Sequence, residues 1–162
     1  MQNATANPAH AARAAWMRTL ALAQSDALDA AYIRLAETAA LPAYRLLRKP
    51  ESGMAMVRAR AGGTGAQFNL GEMSVTRCAV VLDAADGDAE TAGVAYVQGR
   101  GTRHAEQAAV LDALLQRPAW HQRVQDTVLA PLSQALAERA ARQAATAAQT
   151  RVEFFTMARG DD

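Results

Sequence analysis

"MAMVRARAGGTGAQFNLGEMSVTRCAVVLD", residues 54–83, decides the fold class. Met54, Met56, Arg58 and Arg60 fall in period-two register, with Val57 and Ala59 on the opposite face, the alternation of a strand and not of a helix. Gly62-Gly63-Thr64-Gly65 then supplies residues that tolerate positive φ, so the chain is expected to turn back on itself there as a hairpin. Outward from this stretch the pattern continues. "AYRLLRK", "MAMVRARA", "AQFNL", "SVTRCAVVLD" and "GVAYVQG" read as five strands between residues 43 and 98. Pro50-Glu51-Ser52-Gly53, Gly62–Gly65, Gly71-Glu72 and Asp86-Gly87-Asp88 separate them, which predicts an antiparallel meander.

The flanks are helical. Asn7-Pro8 offers a cap followed by proline at the first helical position, and Ala12, Trp16, Thr19, Leu20 and Ala23 form a stripe behind it. Ser25 or Asp26 is expected to cap a second helix carrying Leu28, Tyr32 and Leu35, and Pro42 closes the helical part. From Thr102 the chain turns helical again, through "HAEQAAVLDALLQR", a segment led by Pro118, and "PLSQALAERAARQAATAAQT". The reading is α+β, an antiparallel sheet from the middle of the chain flanked by N-terminal and C-terminal helices. It forms a single domain over residues 1–162, with 1–10 expected to be flexible.

Composition narrows the function. Apolar residues make up 51% of the chain, but much of this is alanine and aromatics are only 5%, so each residue buries little area and a partner protein is expected to share the stabilisation. A net charge of +1 is far from the basic excess of a nucleic-acid binder. One cysteine, Cys78, excludes a disulfide framework and a multi-cysteine metal site. No apolar run has membrane-spanning length, and the N-terminus lacks a basic segment followed by an apolar one. These features predict a cytoplasmic protein with neither membrane nor nucleic acid as partner.

"YVQGRGTRHAEQAAVLDALLQR", residues 96–117, holds the chemistry. His104-Ala105-Glu106 is half of a zinc-deaminase signature, whose Pro-Cys-x-x-Cys half must follow on a later helix. No cysteine follows Glu106, and His10 and His121 lie at no recognised ligand spacing, so no metal is expected. Gly99-Arg-Gly101 precedes a helix as in a dinucleotide fingerprint, but His104 replaces the third glycine and no second parallel strand follows. What survives is an anion site: Arg100 and Arg103 flank a helix N-terminus, whose free N–H groups attract negative charge. The alternative is a pair of solvated arginines. His104 shares a helical face with Ala108, Leu111 and Leu115, the position of a packed histidine. Glu106 lies about 160° around that helix, so the two converge on one site only if His104 is the cap residue.

Four blocks carry a family likeness: "RARAGGTGAQFNLGEMSVTRCAV" (58–80), "YVQGRGTRHAEQAAVLDAL" (96–114), "LAPL" (129–132) and "RVEFFTMARGD" (151–161). In this order, from Trp16 to Asp161, they resemble the PhnG subunit of the bacterial carbon–phosphorus lyase system. Gly101 departs from the family pattern. The N-terminal decapeptide and the 83–92 turn lie outside the likeness.

The resemblance implies a cytoplasmic subunit of a core complex with PhnH, PhnI and PhnJ. It further implies action with PhnH, PhnI and PhnL in attaching methylphosphonate to C1′ of the ribose of ATP. That step displaces adenine and yields α-D-ribose 1-methylphosphonate 5-triphosphate. In the family the nucleosidase chemistry is placed on PhnI and the radical iron–sulfur chemistry on PhnJ, so ATP is a substrate of the complex and this subunit carries no cofactor. Catalysis by the chain itself would fall to His104 and Glu106, with Arg100, Arg103 and Arg77 as anion-binding candidates. Against this stands a structural role, in which the sheet and Phe154, Phe155 and Met157 of the terminal block contact partners. A stand-alone anion-binding or regulatory module is the remaining alternative.

Overall fold

The computed structural model describes residues 8–84 and 87–149. Two helices open it, α1 (Pro8–Leu22) and α2 (Ser25–Thr38). Three strands follow: β1 (Tyr44–Arg60), β2 (Gln67–Leu82) and β3 (Thr91–Gln98). They form one antiparallel sheet in the order β1-β2-β3. Helices α3 (Thr102–Leu115), α4 (Pro118–Val124) and α5 (Ala130–Gln149) complete the α+β arrangement, α4 running into α5 through a π-helical turn at Gln125–Leu129.

The hairpin turn falls where the glycines predict it. Gly62 and Gly63 take φ of 58° and 79° in the short helical turn Ala61–Gly63, values costly for any residue bearing a Cβ. Two other expected turns are absent, and five short strands become three, two of them long. Pro50-Glu51-Ser52-Gly53 lies inside β1, where the pairing shifts register between Leu46 and Arg48 and again between Arg48 and Glu51. A bulge absorbs proline, which donates no ladder hydrogen bond, and β1 is an edge strand where that loss is tolerated. Gly71-Glu72 likewise stays within β2, beside a register shift at Val57/Arg58. Glycine beside charge marked irregularity in the strand, and the strand continued through it.

The predicted alternation holds along β1: Met54, Met56, Arg58 and Arg60 are exposed while Ala55, Val57 and Ala59 are half-buried. Among the described residues the helices pack on one face of the sheet. Thr76, Cys78, Val80 and Leu82 of β2 and Gly93, Ala95 and Val97 of β3 are buried on the side where α3 lies. Helix α3 is the centre of the molecule, with every residue from Gln107 to Leu115 buried. Its alanines at 105, 108, 109 and 113 let the sheet approach closely, which is how an alanine-rich composition builds a core. Leu20, Leu28, Leu35, Trp120, Val124, Val128 and Leu132 close that core from the helical side.

Local chemistry explains two further details. Helix α2 begins at Ser25, but Gln24 occupies the cap position and makes no side-chain cap bond; the Ser25 hydroxyl faces His104 instead. The π-helical turn precedes Pro131, which has no N–H and whose ring crowds the carbonyl one turn back, so the widened turn relieves both. Among the described residues no helix is long and apolar enough to cross a membrane.

Candidate functional site

The site begins where β3 ends. Gly99 donates its N–H to the Ser74 carbonyl, and its own carbonyl accepts from the Thr76 hydroxyl at 2.7 Å, so the strand end is tied before the chain enters α3. Gly101 takes the cap position of α3, which makes both His104 and Glu106 helical. They diverge. His104 points into the core, 9% exposed, with Nε2 2.8 Å from the Leu20 carbonyl and Nδ1 3.2 Å from Ser25 Oγ. A carbonyl only accepts, so Nε2 carries the proton and, in the neutral ring, Nδ1 accepts from the serine. Both ring nitrogens are engaged, joining the ends of α1, α2 and α3.

Glu106 points the other way, to a cleft of about 590 Å³ between α2, the start of β1 and α3. Tyr32, Ile33, Ala36, Glu37, Tyr44 and Arg103 also line it. Tyr44 donates its hydroxyl to Glu106 Oε1 at 2.7 Å. Burial, then this hydrogen bond, raises the Tyr44 hydroxyl well above the usual tyrosine range, so it remains the donor. Burial and the Glu106 charge raise Tyr32 as well. Glu106 lines this recess, and its Oε2 has no hydrogen bond or ion pair among the described residues.

The arginine candidates do not converge. Arg103 is bound to Asp29 at 2.6 Å, and Gln107 donates to the same carboxylate; Gln107 first and then Arg103 hold Asp29 below the usual carboxylate range. Arg100 is exposed in the loop before α3 and has no ion pair among the described residues. Arg77 is exposed on the face of the sheet opposite to α3 and donates to Glu51 at 2.8 Å. Glu51 also accepts from Arg48 at 2.6 Å, and these two guanidinium groups lower its carboxyl, Arg48 more. His121 is used elsewhere, donating Nδ1–H to the Leu115 carbonyl and meeting the Trp16 ring edge-on. Among the described residues no three of His, Cys, Asp and Glu gather as a metal site. Phe154, Phe155 and Met157 lie outside the described residues.

Sequence reasoning missed two buried charges. Asp112 is fully buried and accepts from Arg13 at 2.7 and 3.1 Å, from the Trp16 indole at 2.9 Å and from the Val94 amide at 3.0 Å. The last bond satisfies an edge amide of β3 and fastens sheet, α1 and α3 together. Arg117, 1% exposed, donates to the carbonyls of Leu82, Asp83 and Ala89 and to Thr91, tying the ends of β2 and β3 to the start of α4. An acid or base inside an apolar run was the available signal: Asp112 interrupts "AAVLDALL".

Fold and site define a class: an α+β domain with a three-stranded antiparallel sheet, a helical layer on one face, and a Glu–Tyr recess beside the start of its central helix. Comparison with known proteins makes this specific. The family model "Phosphonate metabolism protein PhnG" matches residues 11–160. A relative from Rhizobium meliloti (strain 1021), 36% identical over 146 residues, covers 90% of this chain with 88% of its own length. It is named "Alpha-D-ribose 1-methylphosphonate 5-triphosphate synthase subunit PhnG". The chain belongs to the PhnG family.

Proposed function

We propose that this chain is a non-autonomous subunit of α-D-ribose 1-methylphosphonate 5-triphosphate synthase. In this reading it acts in the cytoplasm with PhnH, PhnI and PhnL, inside a core that also holds PhnJ, to transfer the ribose triphosphate moiety of ATP to methylphosphonate with release of adenine. The observation that carries it is the near end-to-end match to a relative bearing that subunit name.

Transfer at the anomeric carbon passes through a cationic, oxocarbenium-like state and needs phosphate grips and a proton for the departing base. The geometry favours a supporting part for this chain. His104 has both nitrogens committed to internal bonds, and Arg77 and Arg103 are already paired with Glu51 and Asp29. Arg100 and the free oxygen of Glu106 are the groups left to meet a ligand. We therefore assign this subunit to shaping and holding the assembly, with ATP bound as substrate of the whole complex and no cofactor on this chain. Phe154, Phe155 and Met157 are proposed as further partner contacts.

Reconstitution tests the proposal. The chain mixed alone with ATP and methylphosphonate should release no adenine, and adding PhnH, PhnI and PhnL should restore release. Adenine release by the lone chain would refute its dependence on partners. Full activity of the other three without it would refute its membership.

A further inference from the structure

None of residues 44–75 is buried, although they form most of a long, regular hairpin. On the far side of the Val75–Gln98 pair, where β3 ends, the hairpin continues as a two-stranded arm in which none of the described residues is buried. A two-stranded ribbon is at best marginally stable in water without something packed on it. This arm nevertheless carries large apolar side chains: Met54 (59% exposed), Met56 (52%), Phe68 (45%) and Leu70 (64%). Three of the chain's six methionines, Met54, Met56 and Met73, stand on it, beside several arginines. Methionine, aromatic and arginine side chains are the enriched residues of protein interfaces.

Charge identifies the occupant. Of the hairpin's six arginine and lysine residues, Arg45 is paired with Glu90, and Arg48 and Arg77 share Glu51, which leaves Lys49, Arg58 and Arg60 without an ion pair among the described residues, against Glu72. Pairing β1 with β1 of a second copy would set Arg45, Arg48, Lys49, Arg58 and Arg60 against themselves, and like charges across a strand pair repel. Pro50 and the register shifts also interrupt the free edge of β1, which disfavours strand addition. The faces of the arm remain. We infer that the β1–β2 arm is the docking surface of this chain for another subunit of its assembly, one presenting an apolar patch rimmed by carboxylates. The inference rests on the subunit role proposed above and adds the surface and its chemistry.

The test is co-expression of the full chain with affinity-tagged PhnI, PhnH and PhnJ, measuring how much chain is retained. Met54→Glu/Met56→Glu and Arg58→Glu/Arg60→Glu should each reduce retention about tenfold or more, as loss of interface anchors does. Leu22→Glu, an exposed apolar site on α1, should be retained like the unaltered chain. Far-UV circular dichroism and melting temperature of all three should match the unaltered chain, since none of these residues is in the core. Hydrogen exchange of the unaltered chain supplies a readout without substitution: amides of 54–60 and 67–73 should gain protection on assembly. Equal retention of both arm variants in a complex that assembles normally, or no gain in protection, would overturn the docking surface while leaving the subunit role standing. An isolated chain that dimerises, and becomes monomeric with the arm variants, would replace the partner by a second copy. Failure of the unaltered chain to assemble at all would remove the subunit role and the arm proposal together.

Discussion

Gly93 of β3 lies directly beneath Ala113 of α3: a Cβ built on the glycine would stand 2.7 Å from the Ala113 nitrogen and 2.8 Å from its Cβ, and closer still to the Ala109 carbonyl oxygen. The obstruction is helix backbone, which cannot rotate aside. Gly93→Ala should therefore push α3 off the sheet and cost about 3 kcal/mol, at the upper end of overpacking effects. Denaturant unfolding checks this, and a midpoint equal to that of the unaltered chain would show that the layers can part cheaply.

Why some of this was legible in the sequence and some was not follows from particular residues. The alternation Met54 to Arg60 and the Gly62-Gly63 turn are local signals, and both hold in the structure. Pro50 and Gly71 are equally strong local signals for turns, yet pairing along the whole of β1 and β2 outweighs one missing donor or one flexible residue, leaving bulges. The period of α3 separates His104 from Glu106, as their positions in the helix confirm. That Glu106 meets Tyr44, 62 residues away, is set by tertiary packing and has no local signature. Asp112 and Arg117 escaped for the same reason: their partners come from α1, β2 and β3.

Asp112 should be the most sensitive charged position in the core. Removing its carboxylate strands the Val94 amide and the Trp16 indole and leaves Arg13 without its partner, the anion that raises the arginine's pKa through their hydrogen bond. Breaking such a pair from the buried side is expected to cost about 3 kcal/mol for Asp112→Ala. Asp112→Asn, which keeps an acceptor oxygen, should lose less. Thermal unfolding of the two variants gives the order, and the reverse order would show that charge and not hydrogen bonding is what Asp112 supplies.

Cys78 should be silent toward thiol reagents in the folded chain. It is buried at 2% exposure, lies 3.4 Å from the Arg48 carbonyl, and burial followed by the Glu106 charge pushes its thiol up to about 11 from 9.0. The folded value lies above the unfolded one, so the unfolded chain loses its proton first as pH rises. Stability from this group is complete below about 9 and declines as pH climbs toward about 11. Labelling with iodoacetamide at pH 8 should need prior unfolding, and Cys78→Ala should flatten part of the alkaline limb of a stability–pH curve. Rapid labelling of the native chain would contradict the packing of β2 against α3.

His104→Ala separates packing from chemistry. The substitution takes a hydrogen bond from the Leu20 carbonyl and another from Ser25, and empties space where α1, α2 and α3 meet. Losing buried hydrogen bonds at such a junction should lower stability by about 2 kcal/mol. If the ring is a joint, adenine release per assembled complex in the reconstituted mixture stays at the level of the unaltered protein, while the melting temperature falls. His104→Gln, whose amide N–H can reach a carbonyl, should recover part of the lost stability. If the ring handles a proton instead, the rate per complex drops by orders of magnitude with assembly intact, and its pH profile loses a limb. With Nε2 and Nδ1 both bound inside the chain, the first outcome is the one expected.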